Sequence, residues 1–362
     1  MTAHLNAVYT MKSQTRMAEE YPKVSVIVTN ARDREYLGRC LKTLVETDYP
    51  DFEIIVVDCQ TPRIKEWIAE SFQDVKLVHF EEDIGPSASH NVGVAKADPS
   101  SRYLAFLDND TTVERSWLKE LIKVVHNDQK IGIAQAKILK MGRENRLDHT
   151  GLAIDTLGTW YTALNMKEEH LNRVLEIFAA SLAACIVTRD VFDGVGGFDE
   201  DYFIYDDDTD FCWRARLLGY RVIFVPSARV CHSGQVTKGL QPRKLFHSVK
   251  NRVYTLLKNY ELRNLWWRMC VYYVIMSLSV SALVFLLKPE QALASLKGLA
   301  DIIMNFKDVW QKRMEVQSRR RVSDEKLFEQ RLLRKDVSAT LSFLRNEVPF
   351  AIFRRRTPLP GG

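Results

Sequence analysis

The segment Tyr103-Leu104-Ala105-Phe106-Leu107-Asp108-Asn109-Asp110 decides the fold of this 362-residue chain. Its five apolar residues predict a buried strand, and two carboxylates follow where that strand ends. Doubly wound sheets bind their ligands at the carboxyl ends of parallel strands. Two carboxylates one residue apart can share a divalent cation, and oxygen ligands favour Mg²⁺ or Mn²⁺ over zinc. A surface turn uses the same residue types, so the neighbouring sequence has to distinguish a site from a turn.

Strands and helices alternate on the N-terminal side of this segment. Short runs rich in β-branched residues predict strands over Val24–Val28, Glu53–Val57 and Val75–Phe80. Apolar residues at helical spacing predict helices over Tyr36–Thr47, Ile64–Phe72 and from about Ser87 to Ala95. The alternation predicts an α/β fold with a mainly parallel, Rossmann-like sheet and flanking helices.

The sequence is less regular after this alternating N-terminal region. No clear period runs from Gly132 to about Asn172, and small residues over Ser181–Val187 lead into a strand. A helix is predicted over Asp206–Leu218. The next predicted strand, Tyr220–Val225, is expected to stop at Pro226, because proline lacks the N–H that a ladder needs.

A second acidic cluster, Asp206-Asp207-Asp208-Thr209-Asp210, opens that helix. Four carboxylates in five residues repel one another unless a cation or a helix N-terminus compensates. Helix capping needs fewer of them. A carboxylate beside a metal site is suited to take a proton from an attacking hydroxyl, so the cluster is a candidate general base.

An apolar segment lies near the C-terminus. Met269–Leu287 has 19 residues without a formal charge, and about 20 are needed to cross a bilayer. Trp266, Trp267, Tyr272 and Tyr273 crowd one end in the manner of an aromatic belt. A second apolar stretch, Ala292–Phe306, follows. Because both flanks are basic or cytosolic, we expect a helical hairpin or helices lying in the cytoplasmic leaflet, the alternative being a buried core helix.

The positive charge belongs to the end of the chain. From Lys288 onward there are 16 Lys+Arg and 9 Asp+Glu, a balance of +7, whereas the preceding residues hold 35 and 37, a balance of −2. An anionic membrane surface is the expected partner of this tail. Nucleic acid is less favoured, because the tail over Lys307–Arg356 also carries apolar residues at near-helical spacing.

Composition excludes several other classes of protein. A hydrophobic content of 46% and a charged content of 27% exclude wholesale disorder. The six cysteines contain no CxxC pair, so reduced, cytosolic thiols are expected. The N-terminus lacks the apolar core of a signal peptide, so we expect that the first domain is not exported.

Five ordered motifs together carry a resemblance. The first three are Val24-Ser25-Val26-Ile27-Val28-Thr29-Asn30, Phe52-Glu53-Ile54-Ile55-Val56-Val57-Asp58 and Asn91-Val92-Gly93. Then come Phe106-Leu107-Asp108-Asn109-Asp110 and the long run from Val195-Gly196-Gly197-Phe198-Asp199 to Asp207-Asp208-Thr209-Asp210-Phe211, with Pro226 and His232 closing the series. The chain resembles the family 2 inverting glycosyltransferases of GT-A fold, of the rhamnosyltransferase-like, membrane-associated kind.

The resemblance implies a role for each residue that matches a motif. Asp208 would be the catalytic base, with Asp207 and Asp210 as a supporting acidic cluster. Asp110, Asp108 and His232 would hold Mn²⁺ or Mg²⁺. The donor, a nucleotide-diphosphate sugar, would be bound by Thr29, Asn30, Asp58, Asn91, Asp108 and Asn109, with Asp58 at the base.

Two departures from the family pattern lie at the nucleotide end. Cys59-Gln60-Thr61-Pro62 replaces the usual Gly-Ser-x-Asp turn, and Asn30 lacks the aromatic residue that usually precedes it. Asp207 stands where Glu is usual. The resemblance therefore implies transfer of a hexose or deoxyhexose to a glycan or isoprenoid-lipid-linked acceptor at the cytoplasmic face of the cell membrane, with the base left open.

The expected organisation has four parts: a lead-in over 1–22, a catalytic domain over 23–240, a linker helix and apolar hairpin over 241–306, and a basic amphipathic tail over 307–362. The rival interpretations are a membrane-associated scaffold with a degenerate transferase fold and a relative of processive polysaccharide synthases. The second lacks its Gln-x-x-Arg-Trp signature here. A dehydrogenase is excluded because Gly194-Val195-Gly196-Gly197 lies deep in the chain and does not open the first helix.

Overall fold

A computed structural model of the chain describes residues 21–234 and 241–347. These residues form two compact units. The first unit comprises 21–153, 162–234 and 319–323, and the second comprises 154–161, 241–318 and 324–347. The lead-in over 1–20 and the end of the basic tail over 348–362 lie outside the described residues.

A ten-stranded sheet forms the centre of the first unit, in the order β10-β12-β6-β11-β4-β1-β2-β3, with β5 paired to β12 and β7 paired to β6. A separate two-stranded sheet consists of β8 and β9. The strands are β1 (Val24–Ala31), β2 (Phe52–Cys59), β3 (Val75–Phe80), β4 (Tyr103–Asp108), β5 (Thr111–Val113), β6 (Ile131–Lys140), β7 (Arg143–Leu147), β8 (Gly151–Ile154), β9 (Trp160–Thr162), β10 (Leu175–Glu176), β11 (Ala184–Thr188) and β12 (Arg221–His232).

The four strands β3, β2, β1 and β4 run parallel, as the sequence predicts. The apolar residues of β1, β2 and β4 are almost all buried, which is typical of a parallel sheet covered by helices. In the edge strand β3, only Val75 is buried, and the other apolar residues are half-buried. Beyond β4, the strand β11 is antiparallel to both β4 and β6, whereas β12 is parallel to β6. The fold is therefore mixed α/β with a mainly parallel central sheet, and the predicted fold class is confirmed.

Two expectations about strands are wrong. The stretch from Gly132 that shows no clear period contains β6, a ten-residue strand in the middle of the sheet with nine buried residues. The strand expected to end at Pro226 continues to His232. The register between β12 and β6 shifts between Val225 and Arg229, so Pro226 lies in a bulge where its missing N–H interrupts no ladder hydrogen bond.

Six helices accompany the sheet: α1 (Arg34–Leu44), α2 (Ile64–Ser71), α3 (Gly85–Lys96), α4 (Trp117–His126), α5 (Arg189–Val195) and α6 (Asp207–Leu217). The helix α3 packs closely on β1, because a Cβ on Gly93 would lie 2.3 Å from Ile27 Cγ2. This approach fixes α3, which carries Ser87 and Asn91, against the sheet.

The second unit is helical. Its helices are α7 (Pro242–Asn259), α8 (Leu262–Phe285), α9 (Pro289–Arg319), α10 (Asp324–Glu329) and α11 (Ser338–Glu347). A cation–π cluster forms part of its interior, in which the buried Arg268 lies over the rings of Tyr260, Trp267 and Phe328. The backbones of α7 and α9 approach closely, since a Cβ on Gly298 would lie 2.8 Å from Phe246 O.

The apolar segments form the helix pair α8 and α9, joined by a short turn. Within the described part of the chain, α8 is the one helix long and apolar enough to cross a membrane, by length and composition alone. The expected aromatic belt is present for its two tryptophans but not for its two tyrosines. Trp266 and Trp267 are exposed, but Tyr272 is buried and Tyr273 donates its hydroxyl to Leu299 O.

Candidate active site

A row of polar side chains crosses the carboxyl ends of β1, β2 and β3. Asn30, Asp58 and His79 are register partners on these adjacent parallel strands. The fully buried Asp58 accepts hydrogen bonds from Asn30 Nδ2 at 2.5 Å and from Thr61 Oγ1 at 2.6 Å, and it lies 2.7 Å from His79 Nδ1. The side chain of Asp58 is therefore held by its neighbours within the sheet.

The same row extends to the first acidic motif. Asn109 follows β4 directly, and its Nδ2 donates to Asn30 Oδ1 at 2.5 Å. Thr29 and Asp108 are register partners on β1 and β4. Five of the six residues predicted to bind a donor therefore lie together at one end of the parallel strands: Thr29, Asn30, Asp58, Asp108 and Asn109.

Asp108, Asp110 and His232 lie together, as the sequence predicts. One ligand atom from each lies within 4.8 Å of the others. The pairing of β5 with β12 explains the arrangement, because His232 is the register partner of Thr111 and Ser233 N donates to Asp110 O. His232 Nε2 lies 3.1 Å from Asp110 Oδ1 and 3.9 Å from Asp108 Oδ2. Two carboxylates and an imidazole form a donor set consistent with a divalent metal ion.

A further carboxylate, Asp148, orients the imidazole. It is buried in the loop after β7, where its N–H donates to Ile138 O, and its Oδ2 lies 2.5 Å from His232 Nδ1. Asp148 is not among the site residues predicted from the sequence. No local pattern marks it, since it lies 84 positions from its partner.

The charges around His232 are strongly coupled. Burial opposes its protonation, but hydrogen bonds with Asp110 and Asp148 and the charge of Asp108 outweigh burial and raise its pKa to about 10. Loss of hydration raises the pKa of the half-buried Asp108 to about 6. The positive charge of His232 opposes this increase, and the negative charge of Asp110 adds to it. The concentration of negative charge at this point is what a cation would offset.

The second acidic cluster is placed at the start of α6. Asp207 is buried and accepts a hydrogen bond from Ser87 Oγ at 3.1 Å, and burial raises its pKa to about 6. Asp208 is half-buried and accepts from Thr209 N at 2.6 Å. Burial, followed by the charges of Asp207 and Asp206, raises the pKa of Asp208 well above the usual range of a carboxyl.

The segment 180–185 connects the two acidic clusters. Asp108 N donates to Ala183 O at one end, and Cys212 on α6 accepts from Ala180 N through its Sγ at the other. Burial and then the charges of Cys212, Asp208 and Asp108 raise the pKa of the Cys185 thiol well above its usual value. The charges of Asp108 and Asp208 therefore both act on the buried Cys185 thiol.

Two predicted site residues have other partners in the structure. Asp210 is fully buried and lies 2.7 Å from Arg214 Nε, and Arg214 also donates to Val195 O and Gly197 O. Asn91 donates to Phe198 O and accepts from Phe198 N, each at 2.9 Å. Their contacts fix the segment around the Val195-Gly196-Gly197-Phe198 motif.

The sequence model of glycosyltransferase-like family 2 matches residues 22–253, more than half of the chain. The chain belongs to this family. The match includes the whole parallel sheet and all the side chains described above. The membership of family 2 that the five motifs predict is thereby confirmed.

Curated relatives of this family 2 chain carry related names. The O-antigen biosynthesis protein RfbC of Myxococcus xanthus is 29% identical over 225 residues, which are 58% of this chain and 17% of that protein. Glycosyltransferase AglE of Haloferax volcanii is 25% identical over 222 residues, which are 60% of this chain and 68% of that protein. An N-acetylglucosaminyl-diphospho-decaprenol L-rhamnosyltransferase of Mycobacterium tuberculosis is 35% identical over 83 residues, 23% of this chain and 26% of that protein.

Solved structures share the fold at low sequence identity. GalNAc-T7, crystallised with UDP, GalNAc and Mn²⁺, matches with a TM-score of 0.59 at 16% identity, over 90% of this chain and 58% of that one. Residues 1–349 of TarS from S. aureus, in complex with UDP-GlcNAc, match with a TM-score of 0.53 at 15% identity, over 82% and 88%. These likenesses identify the GT-A fold. The chain spans only about a sixth to a quarter of the length of the first two curated relatives.

Proposed function

We propose that this family 2 chain is a metal-dependent inverting glycosyltransferase. It moves a hexosyl or deoxyhexosyl group from a nucleotide-diphosphate sugar to a hydroxyl of a glycan or lipid-linked acceptor at the cytoplasmic face of the membrane. The observation that carries the proposal is the meeting of Asp108, Asp110 and His232, with one ligand atom of each within 4.8 Å.

Mn²⁺ or Mg²⁺ is the proposed cofactor. Asp110 and His232 would hold the ion directly. Asp108 would lie between the ion and the donor diphosphate. His232 suits this role because Asp148 engages Nδ1 and leaves Nε2 directed at the carboxylates. When bound, a divalent ion supplies positive charge that stabilises a nucleoside diphosphate as leaving group.

The donor would lie along the carboxyl ends of β1, β2 and β4. Asn109 and Asn30 are joined by a hydrogen bond, and Asp58 holds Asn30 from the other side. For Asp58 we propose that it serves the base end of the donor site through Asn30 and His79, whose side chains it fixes. Thr29 would support the donor site as the register partner of Asp108. Asn91 would support it by fixing the segment at Phe198.

Asp208 is the proposed general base. Its raised pKa makes its carboxylate a stronger proton acceptor than an ordinary aspartate, which suits removal of a proton from an acceptor hydroxyl near neutral pH. The hydroxyl would attack the anomeric carbon on the face opposite the leaving diphosphate. A single displacement inverts that carbon, and it requires no second carboxylate as nucleophile.

The names of two relatives support the proposed acceptor class. RfbC is named for O-antigen biosynthesis, and the mycobacterial relative is named for transfer to a diphospho-decaprenol carrier. Both names concern glycans of the cell envelope. The basic end of this chain, with its balance of +7 from Lys288 onward, supports an anionic membrane lipid as a further partner.

Donor hydrolysis tests the catalytic proposal without knowledge of the acceptor. The full chain would be incubated with UDP-, GDP- and dTDP-sugars in the presence and absence of Mn²⁺, and release of nucleoside diphosphate would be measured. We expect Mn²⁺-dependent release from one donor class. Asp208→Asn should lower the rate by about 10²–10⁴-fold and leave Mn²⁺ affinity unchanged. NMR should show that the sugar first released has the anomeric configuration opposite to that of the donor.

Asp74→Asn is the matched control. Asp74 is exposed and precedes β3, so it lies at the end of the parallel strands opposite the candidate site. It should retain wild-type release. A wild-type chain that binds a nucleotide sugar but hydrolyses none would favour the scaffold interpretation. Full activity in Asp208→Asn would exclude Asp208 as the base.

A further inference from the structure

The helix pair α8 and α9 of the second unit has one face turned into that unit. The buried residues of α8 recur at intervals of three and four, from Leu265 through Tyr272 and Met276 to Leu283. The inner face is polar in places. Arg268 is buried and bonded to the side chain of Thr156, and Tyr272 donates its hydroxyl to Val249 O. Protein therefore covers this side of α8 along its length.

The opposite side of the pair is exposed and apolar. On α8 no charged side chain is exposed from Trp266 to Phe285, whereas an exposed helix face normally carries charged residues. We define the outward face by the following exposed residues: Trp266, Val274, Leu278, Val284 and Phe285 on α8, Leu287 in the turn, and Leu293, Leu296, Ile303 and Met304 on α9. Ile303 and Met304 are 78% and 81% exposed, and Leu287 is 88% exposed. Exposed apolar residues in this number on one helix pair indicate a binding site.

We propose that the outward face docks at the boundary between the headgroups and the acyl chains of an anionic lipid bilayer, with α8 and α9 lying along the membrane surface and α8 not crossing it. The inference deepens the membrane-face part of the proposed function and rests on it for the choice of lipid as partner. A helix that crosses a bilayer contacts lipid or other membrane-embedded protein on all sides, but α8 has a buried arginine and a covered inner face. Only its outward half is free to enter an apolar phase, which is the arrangement of an interfacial helix.

The scarcity of polar groups on the outward face favours lipid over a protein partner. Specific protein interfaces carry about one hydrogen bond per 100–200 Å². The outward side of α8 offers few polar groups, and Ser281 already donates its hydroxyl to Ser277 O within the helix. A bilayer interior demands no such hydrogen bonds, so it fits a face of this composition.

Charges at the borders of the outward face favour an anionic surface. Arg263, Lys297 and Lys307 are exposed, and Lys288 in the turn is half-exposed. Between Leu262 and Asp308, the acidic residues Glu290 and Asp308 are exposed and Asp301 is half-exposed. Each basic residue near an anionic surface strengthens binding. The tryptophans at one end of α8 have the amphipathic rings that prefer the membrane interface.

Flotation with vesicles tests the proposal on the full chain. The vesicles would contain phosphatidylcholine alone or with phosphatidylglycerol. We expect the wild type to float with the anionic vesicles, and the double variant Leu278→Asp/Phe285→Asp to bind at least about tenfold less. The matched control is Val45→Asp/Val174→Asp, which places two aspartates at apolar sites of the first unit that are each 53% exposed. This control should float as the wild type does.

The outcomes separate the possible occupants of the face. Equal flotation of the wild type and the Leu278→Asp/Phe285→Asp variant, with an unchanged melting temperature, would overturn the proposal. A concentration-dependent dimer in sedimentation velocity that the double variant abolishes would assign the face to a second copy. Retention in cell membranes after an alkaline carbonate wash would show that α8 crosses the bilayer; we expect release.

The readout does not depend on sugar transfer. Asp208→Asn should float as the wild type does, and the face variant should retain hydrolysis of a soluble donor. Loss of flotation with retained hydrolysis supports docking. Failure of the wild type to float would overturn the docking proposal while leaving the catalytic one intact.

Discussion

His232 Nδ1 lies 2.5 Å from Asp148 Oδ2, on the side of the imidazole opposite the nitrogen that faces Asp110 at 3.1 Å. The contact fixes both the rotation of the ring and the identity of the nitrogen that is directed at the acidic motif. Carboxylate–histidine pairs of this kind orient metal ligands and increase their basicity. The relationship therefore extends the predicted set of three residues to a fourth that has no contact with the proposed ion.

Replacement of Asp148 should weaken metal binding. We expect Asp148→Asn to lower Mn²⁺ affinity by about 10–100-fold, because the amide cannot hold the imidazole as the carboxylate does. Calorimetric titration of the purified chain with Mn²⁺ measures the change. Asp148→Glu should recover part of the affinity, and Asp74→Asn should retain all of it. Wild-type affinity in a folded Asp148→Asn protein would show that Asp148 has no role at the metal.

The polar row at the nucleotide end should contribute to stability as well as to binding. Asn30 donates to the buried Asp58 and accepts from Asn109, so Asn30→Ala removes one donor from a carboxylate that has no access to solvent. We expect a loss of about 1–3 kcal/mol in the free energy of unfolding, measured in urea. Asn109→Ala should cost less, since it removes only the outer end of the row. Equal costs would show that the row is not continuous.

The ion pair of Asp210 and Arg214 should be structural. Asp210 is fully buried, and Arg214 joins it to the backbone carbonyls of Val195 and Gly197. Arg214→Leu leaves the carboxylate in the interior without its guanidinium, which typically costs about 3–5 kcal/mol. Chemical unfolding measures the loss. A stability within about 1 kcal/mol of the wild type would mean that Asp210 finds other compensation in the folded chain.

Much of this architecture could be predicted from local sequence. The parallel strands β1, β2 and β4 are short and mainly apolar, and such runs directly reflect burial on both faces. The strand β6 was missed because Gln135 and Lys137 interrupt its apolar pattern. Gln135 is nevertheless fully buried, and it bonds to His149 O and Ser181 N, residues that only the fold brings close.

The candidate site shows the same limit. The acidic motif and His232 could be found because each follows a strand within a recognisable motif. Asp148 could not, because its partner is determined by tertiary pairing alone. In the second cluster, the spacing of Asp210 and Arg214 by four residues was a readable signal of an ion pair on one helix face, and it distinguishes Asp210 from Asp208.

The buried His90 should make the fold sensitive to acid. Its ring is packed against Phe106 and Phe198, and neither ring nitrogen has a hydrogen-bond partner within the described residues. Burial lowers its pKa to about 3, whereas an exposed histidine in the unfolded chain titrates at about 6.5. Below about pH 6.5 the unfolded chain therefore binds a proton that the folded chain excludes. The stability contributed by a neutral His90 is complete above that pH and is lost as the pH falls towards 3.

His90→Phe removes this titration and keeps an aromatic ring in place. Between about pH 6.5 and pH 4.5 the wild type should lose roughly 2 kcal/mol more free energy of unfolding than the variant. Urea unfolding at a series of pH values measures the difference, and carboxylates that titrate in both proteins cancel. Parallel pH profiles would show that His90 is protonated in the folded chain or exposed to water, and either result would contradict its placement among the phenylalanines.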